Sequence, residues 1–224
     1  MKPYSIVYKD ALPHGIVAGV CLPGDGAAPS DSDLAALHPD ERSAARKHRG
    51  FRLSSYVGGR LAAHAAVRAL GGPFTSIGTG VRGAPTPPSG IALSITHKRK
   101  LAIAMAAKSA HGDLGIDLED LDPPRPGIAS KVLRPEEQKI ISRLPEDRQW
   151  TAIVLRFSLK EAIYKALAPK LQRYIGFEEA SISLRTDGST AVTLHLTEGP
   201  TPSWIDGRFA WLDRAVLSTV RVEW

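Results

Sequence analysis

The sequence predicts a mixed helix-and-strand protein in two lobes, and three observations carry the prediction. A long helical pattern covers Asp31 to Leu70, and strand-length apolar runs follow it between Ile91 and Leu118. A stretch holding Pro123, Pro124 and Pro126 then separates these from a second set of helical and strand patterns. Closely spaced prolines prevent helix and stiffen the chain, so the lobes are expected at residues 1–120 and 121–224. A chain of 224 residues suits one large domain or two half-size lobes sharing a core.

In the first helical stretch Asp31 and Asp40 are candidate N-caps. Leu61, Ala65 and Leu70 supply an apolar stripe before the Gly71-Gly72 stop, and Gly58-Gly59 weakens its middle. Residues 73–90 carry Gly78, Gly80, Gly83, Pro85, Pro87 and Pro88, which predicts a loop. Ile91 to Ile95 and Leu101 to Ala107 read as buried strands, and Leu114 to Leu118 as a third beyond the His111-Gly112-Asp113 turn. Past the linker, Arg134-Pro135-Glu136-Glu137 opens a helix, and another runs from about Glu146 to Leu167, ending before Pro169. Ser181 to Leu184 and Val192 to Leu196 form a hairpin about Asp187-Gly188, and Phe209 to Leu212 with Val216 to Val222 close a sheet. No internal repeat or low-complexity tract is evident.

Apolar residues make up 43% and charged residues 23% of the chain, ordinary globular usage that excludes intrinsic disorder. Lys and Arg exceed Asp and Glu by 29 to 23, so a polyanionic ligand or an acidic partner is attracted. There is neither a long basic block nor a zinc-finger or aromatic-rich sheet motif, which argues against a nucleic-acid partner. Cys21 is the only cysteine, which excludes an internal disulfide and a multi-cysteine metal site. The N-terminus has no basic-then-apolar signal, and the longest apolar run, Leu101 to Ala107, is too short to cross a bilayer. No membrane association and a cytoplasmic location are expected.

Four constellations carry chemistry. In Gly115-Ile116-Asp117-Leu118-Glu119, strand alternation puts both carboxylates on one face, a pair of hard oxygen ligands suited to a Mg2+–diphosphate complex; a solvated strand end is the competing reading. In Phe157-Ser158-Leu159-Lys160-Glu161-Ala162-Ile163-Tyr164-Lys165, Glu161 and Lys165 stand one helical turn apart, as a surface ion pair or as a base and a phosphate-neutralising cation. Ser94-Ile95-Thr96-His97 ends an apolar strand before Lys98, Arg99 and Lys100, so hydroxyl, imidazole and cations cluster where a phosphate could be held. Arg46, Lys47, Arg49, Arg52 and Arg60 line a helix with Phe51 and Tyr56, and Arg52 and Arg60 project about 80° apart around its axis, able to address one phosphate together.

Taken in this order, Ser-Ile-Thr-His, Gly-Ile-Asp-Leu-Glu and Phe-Ser-Leu-Lys-Glu-Ala-Ile-Tyr-Lys resemble the signature of the 4′-phosphopantetheinyl transferases. The Arg52/Arg60 helix before a Gly/Pro-rich loop is similar to the larger, siderophore- or surfactin-synthetase-type members. The resemblance implies an α+β fold of two pseudo-symmetric lobes in one chain, a monomer, with coenzyme A in the cleft between them. It implies Mg2+, with Mn2+ an alternative, held by Asp117, Glu119 and Glu161. Glu161 or a metal-bound water would take the proton of a serine on an acidic apo acyl or peptidyl carrier protein, and Lys165 would steady the departing adenosine 3′,5′-bisphosphate. Lys160 and His97 would bind phosphates, Thr96 would line the nucleotide site, and Arg52 and Arg60 would grip the 3′-phosphate. Where the family often has a polar or basic residue before the loop proline, this chain has Ala84 before Pro85, leaving Arg82 as the candidate there. Two rivals compete: a Mg2+-dependent phosphohydrolase or nucleotidyl transferase acting on another diphosphate, and a non-catalytic module whose basic helix binds an acidic protein or nucleic acid.

Overall fold

The structure, a computed structural model, describes residues 2–24, 27–185 and 187–224. The chain divides into two compact units, Met1–Leu114 and Gly115–Trp224.

Among the described residues the first unit runs β1 (Ile6–Leu12), β2 (Gly15–Cys21), α1 (Asp31–Ala35), α2 (Pro39–Ala45), α3 (Gly50–Ala69), β3 (Gly78–Thr79), β4 (Pro85–Thr86), β5 (Ile91–Lys98) and β6 (Leu101–Lys108). An antiparallel sheet in the order β1-β2-β6-β5 carries α3 on one face. The contact is built from small residues: Ala62, Ala63 and Ala66 of α3 and Ala18, Ala102, Ala104 and Ala106 of the sheet are all fully buried. Gly58 belongs to the same design, since a Cβ there would lie 2.2 Å from Leu22 Cδ2. The glycine pair expected to weaken the helix is what lets it approach the strands.

The single helical stretch expected from Asp31 to Leu70 is three helices. Ser30 and His38, not Asp31 and Asp40, are the N-caps of α1 and α2, and Pro39 occupies the first turn of α2, where its missing N–H costs nothing. Gly50, at φ +52°, turns the chain into α3. The β1–β2 hairpin was not expected; its apolar Ile16 to Val20 run carries no flanking pattern strong enough to reveal it.

The second unit contains β7 (Asp113–Asp120), α4 (Ala129–Val132), α5 (Pro135–Ile141), α6 (Glu146–Leu171), β8 (Ala180–Leu184), β9 (Ser189–Leu194), β10 (Trp204–Leu212) and β11 (Ala215–Glu223). Its sheet order is β7-β11-β10-β9-β8, and α6 packs on β11 and β10. The lobe boundary expected at residue 120 therefore moves to 114/115, because β7 hydrogen-bonds into the second sheet and the proline-spaced segment follows that strand. Helix α6 also passes Pro169 instead of ending before it. Proline in the last turn removes one hydrogen bond where the helix is about to stop, and Gln172 closes it in the left-handed conformation.

Buried Leu159, Ile163 and Leu167 of α6 meet Val216, Val220 and Val222 of β11. Each such side chain contributes about 1.5–3 kcal/mol on burial. The helix that bears the Phe157–Lys165 motif is thus fixed by its apolar face. No described helix is long and apolar enough to cross a membrane.

Candidate functional site

Two groups of residues answer to the chemistry expected, one in each unit. In the first unit a cavity of about 290 Å³ is lined by α3 (Arg52, Ser55, Tyr56, Gly59 and Arg60), the preceding His48, the β3–β4 segment and β5. The α3 residues recur at three- and four-residue spacing, which puts them on one face of the helix. Arg60 is buried, and its Nη2 donates to Gly78 O at 2.8 Å and Thr79 Oγ1 at 2.9 Å. Its guanidinium lies 4.8 Å from the centre of the Tyr56 ring. Its Nε–H is buried without a hydrogen-bond partner among the described residues, a cost of about 1–3 kcal/mol that an anionic ligand would remove.

Burial depresses the pKa of His48, and the positive charges of Arg52, Arg60 and Lys47 depress it further. Arg52 and Arg60 give the cavity lining its positive charge. Arg52 and His97 line it from exposed positions. Thr96 does not: it follows Ile95 and precedes His97 on β5, so strand alternation turns its buried side chain to the opposite face. Arg82 is exposed in the left-handed region at φ 56° beside the lining residue Gly83, but does not itself line the cavity. Tyr56, named with the arginine helix, lines the cavity too, while Ser55, Thr79 and His48 are lining residues that the sequence reading did not name.

In the second unit Asp117 and Glu119 are both buried, 5% and 4% exposed. Lys165 Nζ reaches from α6 to Asp117 Oδ1 at 2.8 Å and Ile116 O at 2.9 Å. Two motifs far apart in sequence thus meet through one ion pair. Arg125 Nη2 stands 3.4 Å from Glu119 Oε2. Gly115 makes this approach possible, since a Cβ on it would fall 1.8 Å from Ala162 O. Farther along, Trp150 Nε1 donates to Leu121 O, so β7 runs antiparallel to α6 and the Glu161 backbone lies abreast of the acidic strand segment.

The expected three-carboxylate cluster is not formed: among the described residues no three His, Cys, Asp or Glu side chains are gathered to hold a metal ion. The strand pair itself has the right chemistry, two hard oxygen donors on one face, which Mg2+ accepts while keeping other positions for water and phosphate oxygens. Lys160 also departs from expectation. Its side chain is 1% exposed, and its ammonium donates to Glu137 Oε2 at 2.6 Å and Val132 O at 2.8 Å. Burial lowers its pKa while Glu137 opposes the shift. One position from Glu161 on a helix is about 100° of rotation, which turns Lys160 toward α5.

Residues 113–217 match the model of the 4′-phosphopantetheinyl transferase superfamily, and residues 40–107 match the 4′-phosphopantetheinyl transferase N-terminal domain. The chain is 34% identical over 206 residues to the 4′-phosphopantetheinyl transferase Npt of Nocardia iowensis, covering 84% of this chain and 90% of that one. The chain belongs to the 4′-phosphopantetheinyl transferase family. A second transferase, Svp of Streptomyces mobaraensis, is 30% identical over 203 residues, covering 86% of this chain and 81% of that protein. Enterobactin synthase component D of Salmonella typhimurium is 30% identical over 191 residues, covering 84% of this chain and 71% of its own. In this transferase the N-terminal family match contains the arginine-lined cavity, and the superfamily match contains β7 and α6.

Proposed function

We propose that this transferase moves the 4′-phosphopantetheine arm of coenzyme A onto a serine of an apo acyl or peptidyl carrier protein, releasing adenosine 3′,5′-bisphosphate. The observation that carries the reading is the Lys165–Asp117 contact, which sets a cation and two buried carboxylates side by side. The cavity on α3 takes the 3′-phosphate: Arg60 is oriented by Gly78 and Thr79, and Arg52 and His97 stand at its exposed edge. Asp117 and Glu119, with Glu161 joining from α6, would hold Mg2+ or Mn2+. That ion supplies charge neutralisation at the diphosphate and makes its phosphorus more electrophilic.

The remaining steps belong to side chains. Glu161 accepts the proton of the carrier serine hydroxyl as its oxygen bonds to the β-phosphorus of coenzyme A. The bond from that phosphorus to the bridging oxygen breaks, and Lys165, whose ammonium is held at Asp117, stabilises the charge gathering on the leaving bisphosphate. Tyr164, Tyr174, Ile163, Ile175 and Phe177 border a second cavity, of about 160 Å³, with Lys160 and Glu161. The net charge of +6 suits an acidic carrier protein.

Intact-mass analysis of an apo carrier protein incubated with the enzyme, coenzyme A and Mg2+ tests the reading. A phosphopantetheine mass increment, abolished by chelation and by Asp117→Asn, is the expected outcome. Cleavage of coenzyme A without carrier modification would instead assign a phosphohydrolase.

A further inference from the structure

Each unit contains the same buried device, built on the glutamate three residues into a short proline-led helix. In the second unit Glu137 of α5 accepts from its own N-cap, Arg134 N at 3.0 Å, from Ile182 N in the middle of β8 at 2.9 Å, and from Lys160 of α6. In the first unit Glu41 of α2 accepts from His38 N at 3.0 Å and from Ile77 N at 2.9 Å, and pairs with His64 Nε2 of α3 at 2.7 Å. Both glutamates are about as buried as any residue in the protein, Glu41 at 1% and Glu137 at 2% exposure. Burial alone would raise the pKa of Glu41; the bonds from His64, Ile77 and His38 outweigh it and hold the carboxyl below the usual range, so it is ionised in the folded protein.

The consequence lies one residue beyond Ile77. Gly78 and Thr79 provide the two oxygens that orient the Arg60 guanidinium, and Thr79 lines the arginine cavity. Strand β3 is two residues long and is held otherwise by its ladder to Pro85 and Thr86, so Glu41 is its anchor on the helical side. Phe74, 4.5 Å from the His64 ring between centroids, packs over the same junction. We infer that Glu41, held by His64, is a positioning residue for the 3′-phosphate pocket: through Ile77 it fixes Gly78 and Thr79, and through them the aim of Arg60. Neither Glu41 nor His64 lines the cavity.

The inference rests on the proposed reading of the cavity, and one experiment separates the two. Binding of coenzyme A and of 3′-dephospho-coenzyme A is measured by calorimetry for wild type, Arg60→Ala, Glu41→Ala, Glu41→Gln and His64→Gln, with melting temperatures as the folding control. A pocket for the 3′-phosphate makes wild type prefer coenzyme A and makes Arg60→Ala lose the preference. The positioning role predicts that Glu41→Ala loses about tenfold in affinity for coenzyme A with little change for the dephospho form, and that Glu41→Gln, which keeps an acceptor for Ile77, recovers part of it. If Glu41→Ala does not fold, His64→Gln carries the same prediction in smaller measure. Equal loss for both ligands, or an undiminished preference in the Glu41 and His64 variants while Arg60→Ala abolishes it, would overturn the positioning role. An undiminished preference in Arg60→Ala would overturn the pocket assignment itself.

Discussion

Residue identity decides the chemistry at Glu161 and Lys165, and the structure separates them from their neighbour Lys160, which the sequence motif presents as equivalent. Lys165 points at Asp117, while Lys160 is consumed by Glu137. Glu161→Gln and Lys165→Ala are therefore expected to lower kcat by two or more orders of magnitude, about the range for a lost base or charge stabiliser, with Kd for coenzyme A changed much less. Single-turnover kinetics beside calorimetry check this, and parallel losses in kcat and affinity would contradict the assigned roles. The sequence made the acidic pair and Lys165 legible because their types and spacings imply hard-ligand and phosphate chemistry. Strand alternation already puts Thr96 and His97 on opposite faces of β5, but not which face meets the cavity, and the burial of Lys160 depends on α5 covering that side of α6.

At the scale of elements, two glycines set how closely helix and sheet approach, with different tolerances. A Cβ at Gly115 would meet backbone, Ala162 O at 1.8 Å, which cannot yield without moving α6 from β7 and breaking the Lys165–Asp117 pair. At Gly58 the 2.2 Å neighbour is Leu22 Cδ2, the end of a side chain that can rotate. Gly115→Ala should cost more than about 3 kcal/mol in denaturant unfolding, and Gly58→Ala distinctly less; the reverse order would contradict this view of the two contacts. The long helices and the central strands were readable from apolar periodicity. Helix ends were not, because caps compete: Ser30 outdoes Asp31 by closing a reciprocal pair with Asp33, and His38 does the same with Glu41. The duplicated device escaped notice because its signature, Leu-basic-Pro-acidic-Glu at Leu37–Glu41 and Leu133–Glu137, spans five residues in otherwise divergent halves. The same offset links Arg60 to Arg156 and His64 to Lys160, so the repeat lies in buried polar positions, which hydrophobic patterning does not read.

For the whole molecule, stability toward acid depends on Glu179, whose pKa is lowered to about 2 by its bond with Arg173, with burial opposing and the N–H groups of Thr197 and Gly176 assisting. A carboxyl whose folded pKa lies below its unfolded one stabilises the protein fully above the unfolded value, about 4.5, and loses that contribution as pH falls toward about 2. Arg173→Ala should therefore raise the midpoint of acid unfolding and leave stability at pH 7 lower, as circular dichroism across a pH series would register; an unchanged midpoint would remove Glu179 from the account. The two-unit organisation was legible from two sets of helices and strands about a proline-spaced stretch. Its boundary was not, because strand pairing, which the local sequence does not encode, assigns β7 to the second sheet.

The central claim is that a divalent ion and the coenzyme A diphosphate meet at Asp117 and Glu119 with Glu161 alongside. A crystal structure of the protein with Mn2+ and coenzyme A, read by anomalous scattering, tests it most directly. The account predicts a single strong peak about 2.0–2.3 Å from carboxylate oxygens of Asp117 and Glu119 and in contact with the diphosphate. A coenzyme bound with its diphosphate elsewhere, or a manganese peak away from both carboxylates, would contradict it.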